Sequence, residues 1–261
     1  MDKRFLVFDI ETVPDWDLVQ HVFGLPADAP RETMREHLLT KYNSGFAPPP
    51  YHVPVCIALI DVHPESLQVQ NGVVLEGEEK TLLQNFWKMT KFKRGSEGKP
   101  APVKTNLVHF NGRSFDLPVL FFRSLKHKIQ IAPWDRNRYT VESMQEKLIG
   151  SHDVCDDLAD YGAASRPSLN VASKLIGLPG KTEIDGSQIE DLFARGEMQR
   201  IKDYCMEDAL ATYLLWITIR FTRGEINEQV YNSAFETAPE LIREFRTRHE
   251  RADGIKDAPA S

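Results

Sequence analysis

Two carboxylates two residues apart, Asp9 and Glu11, end a short apolar run near the amino terminus. The run at 5–8, FLVF, is apolar at every position, which is typical of a central strand covered on both faces. Because side chains alternate along a strand, both carboxylates lie on one face. Two anions that lose water side by side repel each other, and a divalent cation would offset that repulsion. This pair therefore predicts a metal site at the end of a buried strand.

A second acidic segment, NGRSFD at 111–116, follows another predicted strand. Gly112 permits a sharp turn, and Asp116 stands where a helix begins, so the helix dipole and free N–H groups favour its carboxylate. Its side chain can also point over the carboxyl ends of the strands, where open α/β sheets bind ligands. An ordinary acid at a helix amino terminus is the alternative interpretation of Asp116.

The third segment, DYCMEDALAT at 203–212, belongs to a predicted long helix. Tyr204 and Asp208 are four residues apart and are therefore neighbours on one helix face. That face is otherwise mostly apolar, so we expect it to pack inward. If Asp208 points inward, its carboxylate needs a partner. The alternative interpretation is that Asp208 lies on the helix surface and Tyr204 belongs to the core.

Together, the three segments resemble the DEDD superfamily of 3′–5′ exonucleases. The similarity is closest to stand-alone exonucleases related to the proofreading domain of family B DNA polymerases. The first motif of that group, D-x-E, is matched by Asp9 and Glu11, and the second, N-G-x-x-F-D-x-P, by residues 111–118. The third motif, Y-x-x-x-D, is matched by Tyr204 and Asp208.

The third motif also indicates the branch of the superfamily. The histidine branch carries a histidine five residues before the last aspartate, where this sequence has Asp203. The tyrosine branch carries a tyrosine four residues before it, which is matched by Tyr204. The resemblance extends over residues 1–220 and is to the tyrosine branch.

This resemblance implies hydrolysis of phosphodiester bonds from the 3′ end of a single strand, with nucleoside 5′-monophosphates as products. Two Mg²⁺ or Mn²⁺ ions would be the cofactors, and hard oxygen ligands suit both metals. By resemblance, Asp9 bridges the two ions, and Glu11 and Asp208 complete the first site. Asp116 would hold the second ion, directly or through water. Tyr204 would orient the attacking water, since a phenol with a pKa of about 10 is a weak base.

Three further residues are candidates for binding the substrate. Thr12 closes the first motif and could contact the terminal nucleotide or cap the backbone. Asn111 could reach a phosphate or hold the turn. Phe115 could stack on a terminal base, an interaction of about 1–3 kcal/mol, or belong to the core.

Composition limits the class of protein. The 261 residues are 41% hydrophobic, which supports a sizeable core, and the net charge of −6 argues against a basic scaffold that coats duplex DNA. The three cysteines, odd in number and far apart, suit a reducing compartment. No apolar stretch approaches a membrane span or a signal peptide. We therefore expect a soluble, cytoplasmic protein.

The elements that must position these residues form an α/β pattern. Period-two and apolar runs predict strands near 5–12, 53–62, 67–75, 106–110 and 152–154. Helical spacing and capping residues predict helices near 78–91, 116–126, 168–177, 188–194 and 197–220. We therefore expect a ribonuclease H-like mixed five-stranded sheet flanked by helices.

We expect one exonuclease domain over residues 1–251. It would contain an irregular proline-rich insert at 13–51, with a short helix possible at 31–41, and a flexible loop at 93–104. A disordered tail would follow at 252–261.

The expected partner is the 3′ end of single-stranded nucleic acid, with DNA favoured over RNA and no membrane. Because a polymerase domain has no room in this chain, proofreading or repair would occur with a polymerase or repair complex in trans. A catalytically silent nucleic-acid-binding module on the same fold is an alternative, as is a ribonuclease H-like endonuclease. The complete set of five residues disfavours the first alternative, and the tyrosine disfavours the second.

Overall fold

The structure is a computed structural model that describes residues 2–43, 46–94, 99–131, 134, 149–178 and 186–238. Its strands, in chain order, are β1 (Asp2–Pro14), β2 (His52–Val62), β3 (Val69–Glu76), β4 (Phe92–Arg94), β5 (Pro100–His109) and β6 (Gly150–Asp153). The first four helices are α1 (Trp16–Phe23), α2 (Arg31–Tyr42), α3 (Glu79–Lys91) and α4 (Asp116–Lys126). The later ones are α5 (Val154–Leu158), α6 (Leu169–Leu175), α7 (Ile189–Ala194), α8 (Met198–Thr222) and a helix over 228–238, here α9.

The strands form one mixed sheet in the order β3-β2-β1-β5, with β4 and β6 both paired to β5. β1 is antiparallel to β2 and parallel to β5, and β5 is parallel to β6. This arrangement confirms the predicted fold class of a mixed, ribonuclease H-like sheet flanked by helices. The central position of β1 places its acidic end in the middle of the sheet.

The predicted number of five strands is wrong, because β4 adds a sixth. β4 pairs antiparallel with the start of β5, where Phe92 lies opposite Pro102 and Arg94 opposite Pro100. The composition of 93–104 predicts a flexible loop, but a strand tolerates proline where its N–H has no partner in the sheet. Part of the predicted loop at 93–104 is therefore a short edge ladder, and residues 95–98 lie outside the described part of the chain.

Helices cover β1 on both faces, as its uninterrupted apolar run predicted. On one face Phe5 packs against Trp216 of α8, with ring centroids 4.7 Å apart. On the other face Phe8 packs against Phe86 of α3, with centroids 5.4 Å apart. Burial on both sides fixes the strand, so the acids at its end have a rigid support.

The insert at 13–51 is more regular than predicted. It contains α1, which the sequence analysis missed, and α2, close to the helix considered at 31–41. Its prolines lie before, between and after these helices rather than inside them, and Asp15 caps α1 by accepting a hydrogen bond from the Leu18 N–H. The helices share a small core of their own, formed by Val19, Met34, Leu38 and Tyr51.

Two sequence predictions stay open. The tail at 252–261 lies outside the described residues, and the extent of a single domain over 1–251 stays a prediction. Across the described residues, every helix falls short of the length and apolar character that crossing a membrane requires.

Candidate active site

The five residues of the three motifs line one cleft of about 1030 Å³: Asp9, Glu11, Asp116, Tyr204 and Asp208. They come from the end of β1, the start of α4 and the first half of α8. The structure thus brings together side chains that are separated by up to 199 positions in the sequence. The role of each residue stays a prediction.

The acids of β1 lie where the strand leaves its parallel neighbour. The β1–β5 ladder ends with Val7 opposite Val108. Beyond this point the Ile10 N–H donates a hydrogen bond to the Asp116 carboxylate. The first and second motifs are therefore joined directly, through a backbone group that the sheet leaves to the site.

Asp116 is buried, with 6% of its surface exposed. Burial is the main reason why its pKa is raised to about 7, and the negative charges of Asp153 and Asp208 raise it further. Hydrogen bonds from its own N–H and from the Ile10 N–H act in the opposite direction. The charged carboxylate is thus costly here, and a nearby cation would stabilise it.

The turn before Asp116 is held by Asp153 at the end of β6. The Asp153 carboxylate accepts hydrogen bonds from the Asn111 N–H at 2.7 Å and the Arg113 N–H at 3.0 Å. Glycine is required at position 112 because the turn passes close to the His109 ring. A Cβ there would lie 2.7 Å from that ring. The left-handed residue of the turn is Asn111, with φ of 57°. The sequence analysis assigned this conformational freedom to Gly112 instead.

Tyr204 and Asp208, both on α8, also line the cleft. Tyr204 is only 3% exposed, and its hydroxyl donates a hydrogen bond to the Asp208 carboxylate. Burial, followed by the charges of Asp208, Glu11 and Asp9, raises the phenol pKa far above its usual range. In this arrangement the Tyr204 hydroxyl is therefore a hydrogen-bond donor to Asp208.

A family model described as a predicted 3′-5′ exonuclease related to the exonuclease domain of PolB matches residues 44–254. The chain belongs to this exonuclease family. The match contains the second and third motifs and begins after the first, so Asp9 and Glu11 are assigned from their pattern and their place in the cleft. A comparison with curated proteins found no match.

Sequence reasoning missed one residue that contacts the acids of β1. A ligand atom from each of Asp9, Glu11 and Cys205 lies within 4.8 Å of the others. The Cys205 thiol donates to the Asp9 carbonyl at 3.4 Å and lies 3.6 Å from its carboxylate. Burial raises the thiol pKa well above its usual value, so Cys205 is a neutral donor that supports Asp9. The available sequence signal was that Cys205 directly follows Tyr204 within the third motif.

The three predicted substrate-binding residues line the same cleft: Thr12, Asn111 and Phe115. The Thr12 hydroxyl lies 2.8 Å from His52 Nδ1. The Asn111 side-chain oxygen accepts a hydrogen bond from Arg166 at 2.9 Å. Phe115 packs against His52 and against Phe46, a residue that sequence reasoning missed. Their contact with substrate stays a prediction.

The donor set fits a hard divalent cation. The four carboxylates of the three motifs line the cleft, and carboxylate oxygen is the ligand that Mg²⁺ and Mn²⁺ prefer. The raised pKa of Asp116 shows that neighbouring anions and burial destabilise its charged form. A divalent ion would offset both effects, so the site has the chemistry that the expected cofactors need.

Proposed function

We propose that this protein is a metal-dependent 3′–5′ exonuclease that releases nucleoside 5′-monophosphates from the 3′ end of single-stranded nucleic acid, with DNA favoured over RNA. The observation that carries the proposal is the convergence of the five motif residues in one cleft. Membership in a family of predicted 3′–5′ exonucleases supports the reaction class.

The carboxylates would divide into two groups around the expected metals. Asp9, Glu11 and Asp208 would hold one Mg²⁺ or Mn²⁺ ion, and Asp116 would hold a second together with Asp9. When bound, the two ions would polarise the scissile phosphate, lower the pKa of a water molecule and stabilise the leaving 3′ oxygen. Asp9 and Glu11 stand on a rigid support, because β1 is buried on both faces.

Tyr204 would act as a donor toward the reacting oxygens. Burial and three neighbouring anions hold the pKa of the phenol far above its usual range in the absence of metal. A buried hydroxyl of this kind can orient an attacking water or stabilise charge on a phosphate oxygen. Proton removal from the water would therefore fall to the metal site rather than to the phenol.

The proposed substrate is consistent with the charge of the chain. A net charge of −6 does not favour long electrostatic contact with a duplex. An exonuclease that binds one strand end needs only a few phosphate contacts and must release the shortened strand after each cycle. Proofreading or repair would then occur with a polymerase or repair complex in trans.

The direct test is degradation of a 5′-labelled single-stranded oligonucleotide with Mg²⁺, with EDTA, and with the Asp9→Asn protein. We expect a ladder of progressively shorter products only for the unmodified protein with Mg²⁺. Asp28→Asn is the matched control, because Asp28 is an exposed carboxylate outside the cleft. Internal fragments, or undiminished degradation in EDTA, would contradict the proposal. Binding of the strand without any hydrolysis would favour the silent binding module.

A further inference from the structure

Positive charge is scarce in the candidate active site. Five carboxylates line the cleft, namely the four of the three motifs and that of Glu190. Among the described residues that line it, the side chains that carry a positive charge at ordinary pH are Arg35 and Arg166. A strand that enters the cleft brings more negative charge, so a cation in addition to the metal ions would help to hold its phosphates.

Arg35 is paired with a carboxylate of the cleft itself. Its guanidinium lies 2.7 Å from Glu190 and is 5.1 Å from the centre of the Trp16 ring. These contacts join α2 to α7 and α1, and none of these three helices carries a motif residue. Arg166 is therefore the better candidate for contact with a phosphate close to the motif acids.

Arg166 is attached to the turn that leads into Asp116. Its Nη1 group donates to the Asn111 side-chain oxygen at 2.9 Å and to the Ser114 hydroxyl at 3.1 Å. Asn111 begins the second motif, and Ser114 lies two residues before Asp116. Two residues span at most about 7 Å of chain, so the guanidinium is bound directly to the segment that positions the second-motif acid.

A buried carboxylate also orients the Arg166 guanidinium. Nη2 donates to Asp156 at 2.9 Å, and Asp156 is 1% exposed. The same carboxylate accepts from Arg113 Nε at 3.2 Å. Arg166 thus uses three of its five N–H donors, and its Nε–H and one Nη2–H have no partner among the residues that the structure describes. Because 39% of its side chain is exposed, Arg166 can offer these donors to a phosphate.

We propose that Arg166 binds the second phosphodiester from the 3′ end of the strand and thereby makes the exonuclease prefer strands of three or more nucleotides over dinucleotides. The inference rests on the proposed function, in which the motif acids and their metal ions take the first phosphodiester. Arg166 is bound to the turn before Asp116 rather than to the acids, so the next phosphate along the strand is the one it would meet. A dinucleotide without a terminal phosphate has a single phosphodiester and offers Arg166 no second one.

The kinetic test compares a trinucleotide, a dinucleotide and a dinucleotide with a 5′ phosphate. For the unmodified protein we expect kcat/KM to be about 10- to 100-fold higher on the trinucleotide than on the plain dinucleotide, as for loss of a hydrogen bond to a charged group. The 5′ phosphate occupies the second phosphate position, so it should restore most of the difference. Arg166→Ala should bring the three values together. Equal values for the unmodified protein, or a preference that Arg166→Ala leaves intact, would overturn the proposal.

Arg200→Ala is the matched control. Arg200 is also paired with a carboxylate, Glu197 at 2.6 Å, and 50% of its side chain is exposed on α8 outside the cleft. This change should leave the preference for the trinucleotide as it is in the unmodified protein. A preference lost equally in both variants would overturn the role of Arg166.

A binding test separates this proposal from the exonuclease assignment, because it needs no hydrolysis. Asp208→Asn protein, with and without Arg166→Ala, is titrated in Mg²⁺ with a 5′-fluorescent single strand whose second linkage from the 3′ end is a phosphodiester or a neutral methylphosphonate. We expect either change alone to raise Kd about 10- to 100-fold, and both together to raise it no further. Effects that multiply would overturn the proposal even for an active exonuclease. Coupling would support it even if the unmodified protein degraded no strand.

A last comparison uses no Arg166 variant, so it holds even if Arg166→Ala does not fold. A methylphosphonate at the fourth linkage, in place of the second, should leave Kd for the Asp208→Asn protein close to that of the unmodified strand. Equal losses at the two positions would indicate a general effect of charge and would overturn the assignment of Arg166 to the second phosphodiester.

Discussion

At the scale of single residues, the Tyr204 hydroxyl is the group whose removal is most informative. Tyr204→Phe deletes the donor to Asp208 and leaves the packing of the ring intact. We expect kcat to fall about 100-fold, as for other preorganised donors, while the rise in melting temperature with Mg²⁺ is retained. Steady-state kinetics and thermal unfolding would measure both effects.

Tyr213→Phe is the matched control for this change. Tyr213 lies on the same helix and donates to the Leu67 carbonyl at 2.7 Å, away from the acids. Its loss should lower stability by about 1 kcal/mol and leave kcat unchanged. Equal kcat values for the Tyr204→Phe and unmodified proteins would remove the phenol from the reaction.

Asp116 predicts how stability depends on pH when no metal is bound. Its folded pKa of about 7 lies above the unfolded value, so the folded state binds more protons. Stability from this group is therefore present at low pH and is lost as pH rises toward 7. Relative to Asp116→Asn, the wild type should lose about 2 kcal/mol between pH 5.5 and 8, at about 1.36 kcal/mol per pKa unit. Urea unfolding in EDTA would show this, and a difference independent of pH would refute it.

Residue types and spacing indicated which motif residues are neighbours within each segment, and the resemblance to the exonuclease superfamily joined the three segments into one predicted site. The two-residue period of a strand placed Asp9 with Glu11, and the four-residue spacing of a helix placed Tyr204 with Asp208. The same reasoning could not find Cys205, His52 or Phe46. Their positions depend on how α8 and the insert pack against β1, and this packing leaves no periodic trace in the sequence.

At the scale of elements, the turn between β5 and α4 sets the position of Asp116. Gly112→Ala would place a Cβ 2.7 Å from the buried His109 ring. Because this ring is enclosed by its neighbours, we expect a loss of about 1–3 kcal/mol in stability. The kcat should fall as well, since the turn leads directly into the second motif. Urea unfolding and kinetics on one sample would measure the two changes.

Gly186→Ala is the control for the turn. Its added Cβ would meet nothing within 4 Å, although Gly186 also borders the cleft. We expect a change in stability of less than about 0.5 kcal/mol. A Gly112→Ala protein as stable as this control would show that the turn can move away from His109 without cost.

Several elements followed from local pattern, and others did not. The helix predicted at 116–126 is α4, because apolar spacing and a first-turn acid mark it clearly. β4 was missed because its pairing with Pro100–Pro102 is a contact between segments. α1 was missed because the prolines around it dominate the local composition, although Asp15 is a good cap.

At the scale of the whole molecule, metal binding should stabilise the fold. The ions bind residues that only the folded chain brings together, so binding shifts the unfolding equilibrium. At 100 times the dissociation constant the gain is about 2.7 kcal/mol, which corresponds to an increase of roughly 5 °C or more in Tm. Asp9→Asn should lose most of this increase, and Asp28→Asn should retain it. An equal increase in all three proteins would indicate metal binding elsewhere.

The fold class was predictable because alternating strands and helices follow a doubly covered first strand. The way in which the insert packs on the rest of the protein was not predictable. Its attachment joins Trp16 and Arg35 to Glu190, more than 150 positions away. Ion pairs and hydrogen bonds at such separations depend on the completed fold, so composition alone indicated only an irregular segment.

The central claim is that acids from three distant segments form one metal-binding exonuclease site. Anomalous diffraction from a crystal soaked in Mn²⁺ tests it most directly. The account predicts two manganese peaks in the cleft, one bound by Asp9, Glu11 and Asp208 and the other by Asp9 and Asp116. Manganese bound only outside the cleft, or no peak between these carboxylates, would contradict it.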